Sequence, residues 1–329
     1  MRTRRAVAGL ALAALAGIGL GAPGAPTFSS FSATTASSGS SFSAAADWTA
    51  PSASASVIGK SSGGVTGYVR PSGTYYVYAN VADSGNPASG VSSVKADVSS
   101  VTTGQTAVAL SQGSYAAGGQ TFNYRSAQLT ASALPAGTKS YTPSLTDSAG
   151  NSTTQSGFSV VMDSTGPSAS GVQTANGGAT VGKAEAGDTV TFTFNEPIEP
   201  LSILSGWSGS ATAVSVRIAN NTSGSTNDTL QVLASGTTTV LPLTSTAANT
   251  GLDLGGKSYV TADVTFNSSS MQVSGNSVVV TLGTPSGATG TGSAGTMKWT
   301  PNAATTDRAG NVLSPVTAVS ETGTSDAEF

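Results

Sequence analysis

Sixteen carboxylates and not one histidine or cysteine define the chemistry open to this chain. Without imidazole or thiol there can be no Cys/His zinc site, no Ser-His-Asp triad and no Cys-His dyad. Acid–base or metal chemistry has to run on Asp and Glu. Calcium suits that inventory, because it takes roughly six to eight oxygen ligands from carboxylates, amides and backbone carbonyls. Asp147, Asn151 and Asp163 are the candidate calcium ligands, since all three fall close to a predicted module junction. Against them, no Asp-x-Asp-x-Asp-Gly loop is present, and an Asp or Asn at a turn commonly bonds its own backbone two residues on. Glu196 and Glu199 are the pair to weigh for catalysis. A glycosidase needs two acids held across a cleft, one with a raised pKa. These two straddle Pro197 at a strand end, where solvated charges are usual. No catalytic residue and no organic cofactor is expected, and the chain reads as non-enzymatic.

What must position these acids is a repeated element. Asp47-Trp48-Thr49-Ala50-Pro51-Ser52-Ala53-Ser54 returns as Asp163-Ser164-Thr165-Gly166-Pro167-Ser168-Ala169-Ser170. Asp147-Ser148-Ala149-Gly150-Asn151 returns as Asp307-Arg308-Ala309-Gly310-Asn311. The first pair opens a module and the second closes it, which predicts tandem modules over 47–163 and 164–329. Gly150 and Gly310 are expected to supply a positive φ in the closing turn. Pro51 and Pro167 are expected to stiffen each entry and keep the first strand from pairing with a neighbour.

Both modules read as strands. Tyr68–Val69, Thr74–Val81, Val91–Val101, Thr106–Leu110, Gln120–Leu129, Ser140–Leu145 and Gly157–Met162 are rich in β-branched and aromatic residues and separated by Gly, Pro and Asn. The second module offers Asp188–Asn195, Val214–Ile218, Thr229–Leu233, Ser258–Phe266, Ser277–Leu282 and Met297–Trp299. Within 188–195, Val190, Phe192 and Phe194 project to one face and the threonines to the other. Short strands at this spacing, with no helical periodicity after residue 20, predict an all-β fold of two tandem antiparallel β-sandwiches, the second enlarged by insertions. Trp207, in a Gly-Trp-Ser-Gly turn, is expected to plug the space beneath a loop.

Composition narrows the partners. The chain carries 13 Lys+Arg against 16 Asp+Glu. Removing Arg2, Arg4 and Arg5 with a leader leaves 10 against 16, a net charge of −6. With Lys60, Lys95, Lys139 and Arg217 scattered, there is no basic stripe for nucleic acid. Residues 1–25 have the form of an export signal: a basic start, then an apolar run from Ala6 to Leu20 too short to span a bilayer. Cleavage is expected between residues 22 and 36, leaving no membrane span in the mature chain. Residues 26–46 are a Ser/Thr/Ala-rich linker or donor segment, with Phe28, Phe31 and Phe42 as its large apolar residues.

The openings Asp-x-Thr-x-Pro and the closings Asp-x-Ala-Gly-Asn resemble tandem bacterial Ig-like modules of secreted and surface proteins. Gly187-Asp-Thr-Val-Thr-Phe-Thr-Phe-Asn-Glu-Pro-Ile198 is similar to a strand of the Ig-like type found in S-layer and adhesin-associated proteins. Phe31-Ser-Ala-Thr-Thr35 with Gly39-Ser-Ser-Phe42 resembles the segment that follows SipW-type signal peptides, the class that includes camelysin and TasA-like fibre proteins. These resemblances imply two Ig-like domains on a protein exported to the cell surface or the extracellular space. Its expected work is structural or adhesive, with modules as spacers or fibre subunits. Cell-wall or matrix components, or further copies of the chain, are the implied partners. The alternative is a calcium- or carbohydrate-binding module using loops of the second domain.

Overall fold

The computed structural model describes residues 47–221, 227–245 and 251–329, so the expected leader and the donor segment lie outside it. Residues 45–329 form one compact unit. It contains two hydrophobic cores, one drawn from residues 53–162 and the other from 172–329. Among the described residues the fold is all-β apart from a single 3-10 turn at Pro200–Ser202.

The first sheet comprises β1 (Ser52–Lys60), β2 (Tyr68–Val69), β3 (Thr74–Ala82), β4 (Val91–Asp97), β5 (Val108–Ala117), β6 (Gln120–Ser126), β7 (Leu129–Thr130), β8 (Gly137–Asp147), β9 (Ser152–Thr154) and β10 (Phe158–Met162). Its order is β1-β3-β6-β5-β4-β8-β10-β2, with β7 beside β3 and β9 beside β8. All neighbours are antiparallel except β2 and β10. The second sheet comprises β11 (Ala169–Ala175), β12 (Thr189–Phe194), β13 (Thr212–Ala219), β14 (Thr229–Ala234), β15 (Leu252–Asp253), β16 (Val264–Ser274), β17 (Ser277–Thr281), β18 (Thr284–Pro285), β19 (Lys298–Trp299) and β20 (Val319–Ser320). Its order is β11-β12-β17-β16-β13-β14-β15-β19-β20, with β18 beside β16. The last strands of each path come back to the first: β1 packs on β10 and β2, and β11 on β19 and β20. Each sheet therefore curls most of the way to closure, as right-handed strand twist favours in a large sheet.

Alternation decides which face goes inside. In β12, Val190, Phe192 and Phe194 are buried while Thr189, Thr191 and Thr193 are half-exposed. In β3, Tyr75, Val77, Ala79 and Val81 enter the first core. Tyr76 and Tyr78 lie on the other face, where the Arg125 guanidinium sits between the rings of Tyr76 and Tyr115 at 4.5 and 4.4 Å. These exterior aromatics thus pair across strands and with a cation.

Three departures from the sequence reading have identifiable causes. β1 and β11 follow Pro51 and Pro167 directly and pair in full with β3 and β12, so the prolines do not block pairing. Each proline precedes its strand, where its missing N–H costs the ladder nothing. β5 runs to Ala117 instead of stopping at Leu110, because its outer half Ser111–Ala117 pairs with β6 as a largely exposed hairpin. The strand expected at Ser258–Phe266 begins only at Val264 and continues through Asn267-Ser-Ser-Ser to Ser274. Its early part is diverted: the N–H groups of Tyr259 and Val260 donate to the Asp228 carboxylate at 3.0 and 3.3 Å.

Candidate functional site

The sequence repeat becomes a repeated acidic cluster. In the first half, carboxylate oxygens of Asp47, Asp83 and Asp147 lie within 4.8 Å of one another, and in the second half those of Asp163, Glu196 and Asp307 do the same. The closing turns build both. Asn151 N–H donates to Asp147 Oδ1 at 2.8 Å, and its Nδ2 bridges Asp147 Oδ2 and the Asp47 carbonyl, each at 2.8 Å. Asn311 repeats this with Asp307 and Asp163, at 2.7, 2.8 and 2.9 Å. Gly150 and Gly310 take φ of 92° and 91°, which lets each turn return on its Asp. The opening residue of each module is thereby tied to its closing turn.

Of the candidate ligands, Asp147 and Asn151 meet, whereas Asp163 groups with Glu196 and Asp307. Nearness in sequence to the junction put the three together. The fold sorts them by module instead, each with its own closing turn. Asp47, Glu196 and Asp307 complete the clusters, and aligning the two copies of the repeat was the signal that finds Asp47 and Asp307.

The two clusters differ in how their charge is met. In the first, backbone N–H groups aim at the acids: Thr49 and Ser89 donate to Asp47 at 2.9 Å each, and Gly85 and Gly90 to Asp83 at 3.3 and 2.7 Å. Hydrogen bonds from Thr49 and then Ser89 hold the Asp47 carboxyl below its ordinary value. The donors come from the loop Ser84–Gly90, which passes so close that a Cβ on Gly85 would lie 2.1 Å from Asp47 Oδ1. In the second cluster Glu196 is followed by Pro197, which has no N–H to give. Glu196 Oε1 is buried with no hydrogen-bond partner. Burial, then repulsion from Asp163 and Asp307, pushes its carboxyl up to about 7. Burial also raises Asp307, against the hydrogen bonds from Asn311. The acids open onto a cavity of about 130 Å³ lined by Tyr68, Pro197, Arg308 and Ala309 as well.

A pH dependence follows. The folded-state pKa of Glu196 lies above its unfolded value. Below the ordinary carboxylate range both states hold the proton and nothing is lost. As pH rises, the unfolded chain ionises first, so stability falls until about pH 7 and then levels off. Glu196→Gln removes this loss. Melting temperatures in chelator should coincide for variant and wild type near pH 4 and diverge in favour of the variant by pH 7.5. Parallel curves across that range would show that the charge costs nothing.

The cavity sits at the joint between the two cores, where a second set of charges is engaged. Lys60, at the end of β1, is 8% exposed and Glu199 is 3% exposed, yet they are 139 residues apart in sequence. Lys60 Nζ donates to Glu199 Oε2 at 2.5 Å and to the Arg308 carbonyl at 2.9 Å. Glu199 also accepts from Val65 N–H at 3.0 Å and Leu201 N–H at 3.3 Å. Gly64 makes room, since its Cβ would fall 2.4 Å from Glu199 Oε2. Arg308 Nη1 reaches Tyr68 Oη at 3.5 Å. Glu199 is therefore no solvated edge charge: it is the buried partner of a lysine from the other half. Glu196 and Glu199 are separately engaged, one with acids and one with a lysine, and do not form an acid pair flanking a cleft.

Trp207 is 5% exposed, its Nε1 donating to Ser210 O at 2.6 Å, so it plugs its loop as expected. One side of it borders an open cleft of about 410 Å³ that also touches Gly64, Thr66, Gly118 and Glu199. Among the described residues no helix is long and apolar enough to cross a membrane. No protein-family model matches the chain and no curated protein matches it, so its function has to be read from its own residues.

Proposed function

We propose that this chain is an exported, non-catalytic structural or adhesive protein, in which two Ig-like β-sandwich modules act as a stiff spacer or fibre subunit at the cell surface or in the extracellular matrix. The observation that carries this reading is the joint. A buried ion pair with three further hydrogen bonds to its two ends links the halves. Domains free to swing share small polar interfaces, whereas a buried, hydrogen-bonded ion pair is geometrically demanding and fixes register. Stiffness serves a spacer, and gives little to an enzyme that must open and close. The all-β build and the Asp-x-Ala-Gly-Asn closings support the Ig-like reading. Cell-wall or matrix components, or further copies of the chain, are the proposed partners.

Fractionating the source cells tests this. The native protein should be found in the wall or fibre fraction, and small-angle scattering of the purified chain should show a single elongated, rigid particle. Recovery only as a free monomer in the medium, or scattering that demands swinging halves, would overturn the reading. A calcium-dependent role has one specific observation in its favour, the orphaned Glu196 oxygen among three acids at the joint. Carbohydrate stacking on Trp207 has less, because its indole N–H and most of its ring are already engaged.

A further inference from the structure

The segment that ends the chain carries a third acidic group, unrelated to the repeat. Oxygens of Glu321, Asp326 and Glu328 lie within 4.8 Å of one another. Glu328 is 1% exposed and is gripped from two sides: its Oε2 accepts from Thr174 Oγ1 at 2.6 Å and its N–H donates to Tyr259 Oη at 2.6 Å. Glu321 Oε1 accepts from Met297 N–H at 2.7 Å. Each glutamate thus spends one oxygen on the protein. The others, Glu328 Oε1 and Glu321 Oε2, are buried and meet no donor.

A buried carboxylate oxygen without a donor is costly, and two beside each other more so. Burial, with Glu321 alongside, pushes the Glu328 carboxyl up to about 8. A single proton can be shared by two oxygens only. The third acid, Asp326, is exposed, which gives a hard cation a charged ligand at the mouth and an entry path with room for water. Fixed inner carboxylates with water completing the shell are what calcium accepts and what its flexible coordination permits.

We propose that Glu321, Asp326 and Glu328 bind a divalent cation of the calcium class, clamping segment 319–329 onto the second sheet. The clamp would reinforce contacts that already hold this segment. Gly295 N–H donates to the Asp326 carbonyl at 2.8 Å and Gly182 N–H to the Phe329 carbonyl at 2.6 Å. Phe329 meets Tyr259 edge-on at 5.8 Å.

Calorimetric titration of the whole chain with calcium chloride at pH 7.5 decides the matter. Wild type should bind with a dissociation constant on the order of 10⁻⁴–10⁻³ M, the range of extracellular modules. Asp326→Asn, which alters an exposed side chain and leaves the fold intact, should weaken that binding at least about tenfold. Glu328→Gln should abolish it. Two results overturn the proposal. Absence of calcium heat, with a melting temperature unmoved by calcium, means the glutamates share a proton. Binding unchanged in Asp326→Asn but lost in Asp163→Asn/Glu196→Gln assigns the ion to the joint.

Discussion

Lys60→Met should cost about 3–5 kcal/mol, the usual penalty for stranding one member of a buried ion pair, which for a chain of this size is of order 10 °C in melting temperature. The loss is not the attraction alone. Removing the ammonium leaves the Glu199 carboxylate buried at 3% exposure with only the Val65 and Leu201 N–H groups to meet its charge. It also leaves the Arg308 carbonyl without its donor. The partner substitution separates these effects. Glu199→Gln in the Lys60→Met background keeps an acceptor for the backbone N–H groups and removes the charge. The double variant should recover about 2 kcal/mol or more of the single loss, a coupling typical of direct contacts. Urea melts of wild type, both singles and the double give the cycle. If the single and double variants melt together, the ion pair contributes nothing and the joint is held by something else.

That ion pair was invisible in the sequence for a physical reason. Lys60 ends a run of small residues, Ser52-Ala-Ser-Ala-Ser-Val-Ile-Gly-Lys60, with little strand signature of its own. It becomes β1 because its partner β3 supplies the large side chains: Gly59 faces Tyr76 and Val57 faces Tyr78 across the ladder. β11 gains its strand character in the same way from β12. Propensity measured along one segment cannot report packing supplied by another. Alternation was legible where a strand brings its own apolar face, as in Val190, Phe192 and Phe194. The acidic clusters were half legible. The repeated Asp-x-Ala-Gly-Asn turns fix Asp147 with Asn151 and Asp307 with Asn311 locally, within five residues. Asp83 and Glu196 join from other strands' ends, a tertiary meeting that leaves no mark in spacing. The contrast between them was nonetheless written in one residue each: a glycine-bearing loop after Asp83 provides N–H donors, and Pro197 after Glu196 provides none.

Trp299→Ala should be the most damaging single substitution in the second core, at about 3–5 kcal/mol for an aromatic truncated to alanine. Trp299 is 1% exposed, packed edge-on to Phe192 and Phe194 at 5.1 Å each, and its Nε1 donates to Leu243 O at 2.9 Å. Truncation opens a cavity between two rings and strands a buried carbonyl at once. How far the damage travels tests the organisation of the whole chain. Trp299 belongs to the second core and to no cluster in the first, so only the joint can carry the loss across. The chromophores make this measurable. Seven of the eight tyrosines, Tyr68, Tyr75, Tyr76, Tyr78, Tyr115, Tyr124 and Tyr141, lie in the first half. Once Trp299 is gone, Trp207 is the buried indole, because Trp48 is 82% exposed and changes little on unfolding. In Trp299→Ala with Lys60 intact, tryptophan fluorescence and tyrosine near-ultraviolet dichroism should melt close together, since the locked joint couples the cores. With Lys60→Met added, the fluorescence transition should run several degrees ahead of the dichroism. Coincident transitions in both backgrounds would mean that the halves cannot fold apart, and that the cores are coupled by more than the salt bridge between them.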